Sequence, residues 1–231
     1  MRAPRVTVPR RGGSLLLGLW LAAFMVLAEP TLELTDKLLK DVTRQYGEEA
    51  KSRLLEWKKL MDSNPGTNEI DTLATVNAFF NRIPQKDDSA HWGQENYWAT
   101  PIELLVTKGG DCEDFAIAKY FTLRRLGIAD DKLRISYVKA FIPEQGKIQA
   151  HMVLSYYPLP SAEPLILDNL NPAILPASQR RDLMPIYGFN GAGLWRAKER
   201  GRTSNDLGLW RELLTRMQHE LDGDTLGAHL P

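Results

Sequence analysis

GGDCEDFAIAKYFTLRRLGI, residues 109–128, holds the only cysteine of a 231-residue chain. Two glycines let the backbone turn sharply before Cys112. From Cys112 the apolar residues recur at helical spacing as far as Leu126, and Gly127 supplies a stop. The cysteine therefore opens an amphipathic helix, where free N–H groups and the positive end of the helix dipole favour a thiolate. Asp111, Glu113 and Asp114 crowd the same helix start and work in the opposite direction.

The chain around this segment divides into regions of different period. A helical N-terminal part occupies about residues 30–84. Leu34, Leu38, Leu39 and Val42 share one face, and Leu54, Leu55, Trp57 and Leu60 continue it beyond Gly47. Asn64-Pro65-Gly66 reads as a turn, and EIDTLATVNAFFNRI as a second helix that Pro84 ends. Residues 84–101 have no period, and Trp92, Tyr97 and Trp98 there suit either packing or a cleft wall. IELLVTKGG is a short helical segment before Cys112.

Beyond residue 128 the period changes to two. KLRISYVKAF, QAHMVLSYY and EPLILDNL alternate as strands, joined by IPEQGK and the proline-rich YPLPSAEP, and imply an antiparallel meander. GFNGAGLWRAK adds a further strand or loop, and a C-terminal amphipathic helix covers about residues 205–222. The fold class is α+β: a core of about residues 92–200 with the cysteine at a helix start packed on an antiparallel sheet, and helices at both ends.

The first 28 residues read as a secretory signal peptide, and residues 29–231 as the mature domain. Arg2, Arg5, Arg10 and Arg11 precede SLLLGLWLAAFMVLA, and no acid occurs before Glu29. That apolar run has 15 residues, short of the roughly 20 a spanning helix needs. Removing the leader takes four positive charges from an otherwise neutral chain, and the remaining sequence has no basic patch for nucleic acid. Export makes an unpaired cysteine notable, because thiols in oxidising compartments are normally paired in disulfides.

A catalytic thiol needs a base, and the chain has four histidines. His151 opens the strand HMVLSYY, 39 residues after Cys112, and Asp168 closes the strand LILD 17 residues later. Neighbouring antiparallel strands can set the two side by side, so Asp168 can orient His151 as base for Cys112. Taken singly, His151 suits a polar sheet edge and Asp168 a turn; together with Cys112 they form a Cys-His-Asp set.

This arrangement resembles the papain-like and transglutaminase-like cysteine hydrolases. It is most similar to the bacterial transglutaminase-like cysteine proteinases of the LapG type. The resemblance is carried by VNAFFN (76–81), residues 109–128, LRISYVKA (133–140), AHMVL (150–154) and ILDNL (166–170), and spans about residues 30–225. It implies a periplasmic endopeptidase whose nucleophile, base and orienting acid match Cys112, His151 and Asp168. Its implied substrate is the N-terminal region of a large surface adhesin, cut at a di-alanine site to release the adhesin and disperse biofilm. The implied regulator is an inner-membrane cyclic di-GMP receptor that sequesters the protease. It also implies a calcium ion held by Asp111 and Glu113, with Asp114 a further ligand. From the residues alone, Asp111 capping the helix and Glu113 and Asp114 complementing its dipole is the better account. A crosslinking acyl transferase would use the same three residues, and a non-catalytic calcium-responsive binding module would need none of their chemistry.

Overall fold

The computed structural model describes residues 32–63, 68–191, 193–196, 199–200 and 204–223. The signal-peptide reading of residues 1–28 and the turn at Asn64-Pro65-Gly66 lie outside the described residues. Among the described residues, no helix is long and apolar enough to cross a membrane.

Among the described residues, six α-helices precede or flank one antiparallel sheet. Helix α1 (Asp36–Asp62) starts at Thr35, whose hydroxyl accepts the Leu38 N–H at 3.2 Å. Gly47 interrupts it with φ 82°, a conformation glycine adopts without strain. Leu38 and Val42 before the break, and Leu54, Trp57 and Met61 after it, are buried. The Trp57 indole N–H donates to Thr122 Oγ1 at 2.9 Å, which ties α1 to the cysteine helix with its buried donor satisfied. Helix α2 (Glu69–Phe80) is capped by Asn68. Helix α3 (Asp88–His91) is a single turn inside the stretch whose lack of period suggested a loop; four residues are too few to show one. Helix α4 (Pro101–Thr107) begins with a reciprocal Thr100–Glu103 capping box, and Arg53 donates to the Leu105 and Val106 carbonyls at 2.6 and 2.9 Å near its C-terminal end. Helix α5 (Cys112–Arg125) is the central helix, and α6 (Ser204–Asp222) closes the described chain.

The sheet contains β1 (Leu133–Ile142), β2 (Lys147–Tyr156), β3 (Leu165–Leu167), β4 (Leu175–Pro176), β5 (Leu183–Asn190), β6 (Gly193–Arg196) and β7 (Glu199–Arg200). Their order is β4-β3-β2-β1-β5-β6-β7. The expected meander is β3-β2-β1, paired Leu154 to Leu167 and Val138 to His151. The two short outer elements β4 and β7 have no sequence signal at two residues each. One face of the sheet, with Leu133, Ile135, Leu154 and Tyr156, packs with the helices into the main core. Val138, Val153 and Ile166 form a smaller cluster apart from it.

Candidate active site

The segment that delivers Cys112 is built by close contacts. The turn out of α4 falls on Lys108 (φ 53°) rather than on the glycine pair, neither of which has a positive φ. The glycines instead provide room. A Cβ on Gly109 would lie 2.4 Å from the Lys86 side chain, and one on Gly110 would lie 2.4 Å from Asp114 Oδ2 and 2.8 Å from Leu104 Cδ1. Gly110 also accepts the Lys86 N–H at 2.8 Å, which fixes the loop before α5. Asp111 is the N-cap position of α5, and its own N–H donates to Asp114 Oδ2 at 3.1 Å.

Cys112 is the first residue of α5 and half-buried. Its thiol donates to Glu113 Oε2 at 3.0 Å. Burial, then the Glu113 and Asp111 carboxylates, push the thiol pKa well up, against a backbone hydrogen bond from Met152 that lowers it. These two carboxylates thus disfavour the thiolate, as their charge requires.

His151 sits on β2, opposite Val138 of β1. The Leu154–Leu167 pairing, continued by one residue, sets Asp168 across from Val153 and diagonal to His151. The ring Nε2 lies 2.8 Å from Asp168 Oδ1 with both side chains buried. An ionised Asp168 only accepts, so Nε2 carries the proton and Nδ1 is left as the basic nitrogen. Burial alone would raise Asp168. The bonds from His151, the Leu170 N–H and Arg180 outweigh it and bring the pKa down to about 2. Arg180, 4% exposed, donates from Nη2 to Asp168 Oδ2 at 2.7 Å and grips Asp182 through Nε and Nη2.

Cys112 and His151 both line one cleft of about 330 Å³, with Asn96, Trp98, Tyr137 and Met152 in its wall. Trp98 is 2% exposed and stacks on Phe189 with ring centroids 5.5 Å apart, so it serves both packing and the cleft. Trp92 is buried with Tyr97 and Ala99, away from the Cys112 cleft wall. A larger cavity of about 570 Å³ lies between Tyr97 and α6, but neither cysteine nor histidine lines it. Chemistry, not size, selects the smaller one.

The acids at the start of α5 separate into two groups. Asp111 and Asp114 stand with Asp88 of α3, their oxygens within 4.8 Å of one another, while Glu113 groups with Asp111 and the thiol. Asp88 Oδ2 accepts the Tyr97 N–H at 2.5 Å and Asp114 Oδ1 the Ala99 N–H at 2.6 Å. Oδ1 of Asp88 and Oδ1 of Asp111 are buried without a hydrogen-bond partner. Burial, opposed by the Tyr97 bond and assisted by Glu113, pushes Asp88 up to about 6; burial and neighbouring carboxylates raise Asp111 and Asp114 further. Three converging carboxylates, two of them with an orphaned oxygen and no nitrogen or sulfur among them, suit a hard divalent cation. Sequence reasoning had no means to find Asp88, which lies 23 residues before Asp111 in an aperiodic stretch. Arg180 was equally invisible, in a segment with no motif.

Residues 45–181 match the family model of the bacterial transglutaminase-like cysteine proteinase, BTLCP. The chain belongs to the bacterial transglutaminase-like cysteine proteinases. It is similar to Legionella pneumophila LapG, at 43% identity over 81% of this chain and 99% of that one, with a TM-score of 0.68. The EGTA-treated form of that protein aligns at 42% identity over 81% and 100% of the two chains, with a TM-score of 0.69. Its calcium-bound form gives 43%, 80% and 99%, with a TM-score of 0.67. No curated protein sequence matches the chain. In this LapG-like cysteine proteinase, the matched region contains the N-terminal helices from Gln45, the Cys112 segment, His151, Asp168 and Arg180.

Proposed function

We propose that the chain is a calcium-dependent cysteine endopeptidase acting through Cys112, His151 and Asp168. The observation that carries this reading is that His151, bonded at 2.8 Å to Asp168, lines the same cleft as a cysteine at the start of α5. His151 Nδ1 takes the thiol proton, and the Cys112 sulfur adds to a peptide carbonyl. The carbonyl oxygen becomes an oxyanion, for which the Cys112 backbone N–H and the Asn96 side-chain amide are the donors at the cleft. The imidazolium then returns its proton to the leaving amine as the C–N bond breaks, leaving a thioester. Water, deprotonated by His151, attacks that thioester and restores the thiol. Asp168 holds the tautomer throughout, and Arg180 holds Asp168.

Calcium fits the Asp88, Asp111 and Asp114 oxygens, and bound there it would neutralise carboxylates whose field disfavours a Cys112 thiolate. The similarity to a LapG solved in calcium-bound and EGTA-treated forms supports the choice of cation.

The substrate in this reading is the N-terminal region of a large surface adhesin, cut at a di-alanine site in the periplasm, with release of the adhesin and biofilm dispersal. An inner-membrane cyclic di-GMP receptor restrains the enzyme by sequestration. Support comes from the LapG-type resemblance of the Cys112, His151 and Asp168 segments and from the leader-like composition of residues 1–28. The test is cleavage of a di-alanine-containing adhesin fragment by residues 29–231, with calcium, with a chelator, and with Cys112→Ala. Calcium-dependent cleavage lost in the variant is expected. Cleavage that survives the chelator removes the cation from the account, and cleavage that survives Cys112→Ala removes the nucleophile.

A further inference from the structure

The helix-facing side of the sheet changes character at the level of Cys112. Below that level it is core: Leu133 and Ile135 of β1 and Leu154 and Tyr156 of β2 are buried. At that level, Tyr137 stands opposite both Met152 and Tyr187, and all three line the Cys112 cleft. Past it, strand alternation keeps Lys139, Phe141, Ile148 and Ala150 on the same side, with Met184 of β5 opposite Lys139. There the burial pattern inverts. Phe141 is 44% exposed, Met184 58% and Ile148 64%, while Val138 and Ala140 on the other side of β1 are buried.

The sheet therefore overhangs the start of α5 and presents three large apolar side chains to solvent. Phe141 and Ile148 are direct cross-strand partners, and the stacked Tyr137 and Tyr187 rings, 5.2 Å apart, connect them to the cleft. Neighbouring exposed apolar side chains mark contact surfaces. This one is continuous with the cavity that holds Cys112, which is where a protease must seat its polypeptide.

We propose that this overhang is a substrate platform: an extended polypeptide lies along it with apolar side chains on Phe141, Ile148 and Met184, leading its scissile bond to Cys112. The inference rests on the reading of Cys112 as nucleophile. From Tyr137 to Phe141 the strand runs four residues, about 13 Å at the usual rise, which an extended peptide covers in about four residues. The apolar requirement accordingly falls about three to five residues from the cut, on one side of it only. Lys139 within the strip selects against a basic residue in that segment.

The test is digestion of a proteome-derived peptide mixture, in calcium, by the unmodified protein and by Ile148→Asp and Met184→Asp, with cut sites read by mass spectrometry. Both positions are exposed, so folding is unaffected, and alkylation of Cys112 by iodoacetamide checks that each cleft is intact. The unmodified protein is expected to cut peptides enriched in Leu, Ile, Val, Phe or Met at the stated offset. Each variant should lose that enrichment, accept basic residues there, and cut the best peptide at least tenfold more slowly, with alkylation unchanged. Unchanged enrichment and rate in the variants would overturn the platform. So would an unmodified protein that cuts a folded protein substrate but none of the peptides. Peptide cleavage that persists in Cys112→Ala would instead remove the nucleophile to which the platform leads, and the proposal with it.

Discussion

Arg180 donates to Asp168 Oδ2 at 2.7 Å, on the carboxylate oxygen that His151 leaves free. Asp168 therefore accepts from a cation on one oxygen and from the imidazole on the other, and neither oxygen is available to turn away. Asp182 takes the Nε–Nη2 edge of the guanidinium and shares Nη2 with Asp168, so the orientation of His151 is set by a chain of three buried or half-buried charges. Removing the guanidinium leaves Asp168 buried with its charge half-compensated. Arg180→Met is expected to cost about 3–5 kcal/mol, as for other broken buried pairs, read from a denaturant midpoint. Arg180→Lys, which keeps the charge but not the fork, should recover part of that stability.

Asp168 also sets an acid limit. Its folded pKa of about 2 lies below the ordinary value of 3.8, so ionised Asp168 favours the folded state. That contribution is fully present above about pH 4 and is lost as pH falls through about 2, and amounts to about 2 kcal/mol. Urea unfolding of the unmodified protein and of Asp168→Asn should therefore show a stability gap that is constant between pH 5 and 7 and narrows below about pH 4.

The carboxylate cluster predicts that calcium stabilises the fold. At a free concentration of about 100 times the dissociation constant, the gain is about 2.7 kcal/mol, a rise in Tm of roughly 5–10 °C for a domain of this size. Asp88→Asn should abolish most of that rise while leaving Cys112 and its neighbours unaltered in sequence. A full calcium shift in Asp88→Asn, measured by calorimetry, would take the ion away from this cluster.

Gly110→Ala tests the packing that positions the cluster. The added Cβ would come within 2.4 Å of Asp114 Oδ2 and 2.8 Å of Leu104 Cδ1, so the carboxylate or the loop must shift. The expected cost is about 1–3 kcal/mol, together with weaker calcium binding by titration calorimetry.

The parts of this architecture that were legible in the sequence are those where one period persists. Alternation over Leu133–Ile142 and Lys147–Tyr156 is long enough to declare two strands, and the apolar spacing of α5 declares a helix with Cys112 at its start. Strand β5 was harder to read, because its register against β1 slips between Tyr137 and Val138 and Pro185 interrupts its pattern. The glycines at 109 and 110 suggest a sharp turn, whereas their role is to admit Lys86, Leu104 and Asp114 at distances a Cβ forbids. That is a tertiary constraint, which no local pattern encodes. Asp88 and Arg180 fall in the same class: each reaches its partners only after α3 or the sheet edge has been folded into place.

The central claim is that His151 acts on the Cys112 thiol, and the most direct test is the rate of Cys112 alkylation by iodoacetamide in calcium at pH 6, comparing the unmodified protein with His151→Ala. The account predicts alkylation at least tenfold faster in the unmodified protein, because only there does a base share the cleft with the thiol. Equal rates in the two proteins would contradict it.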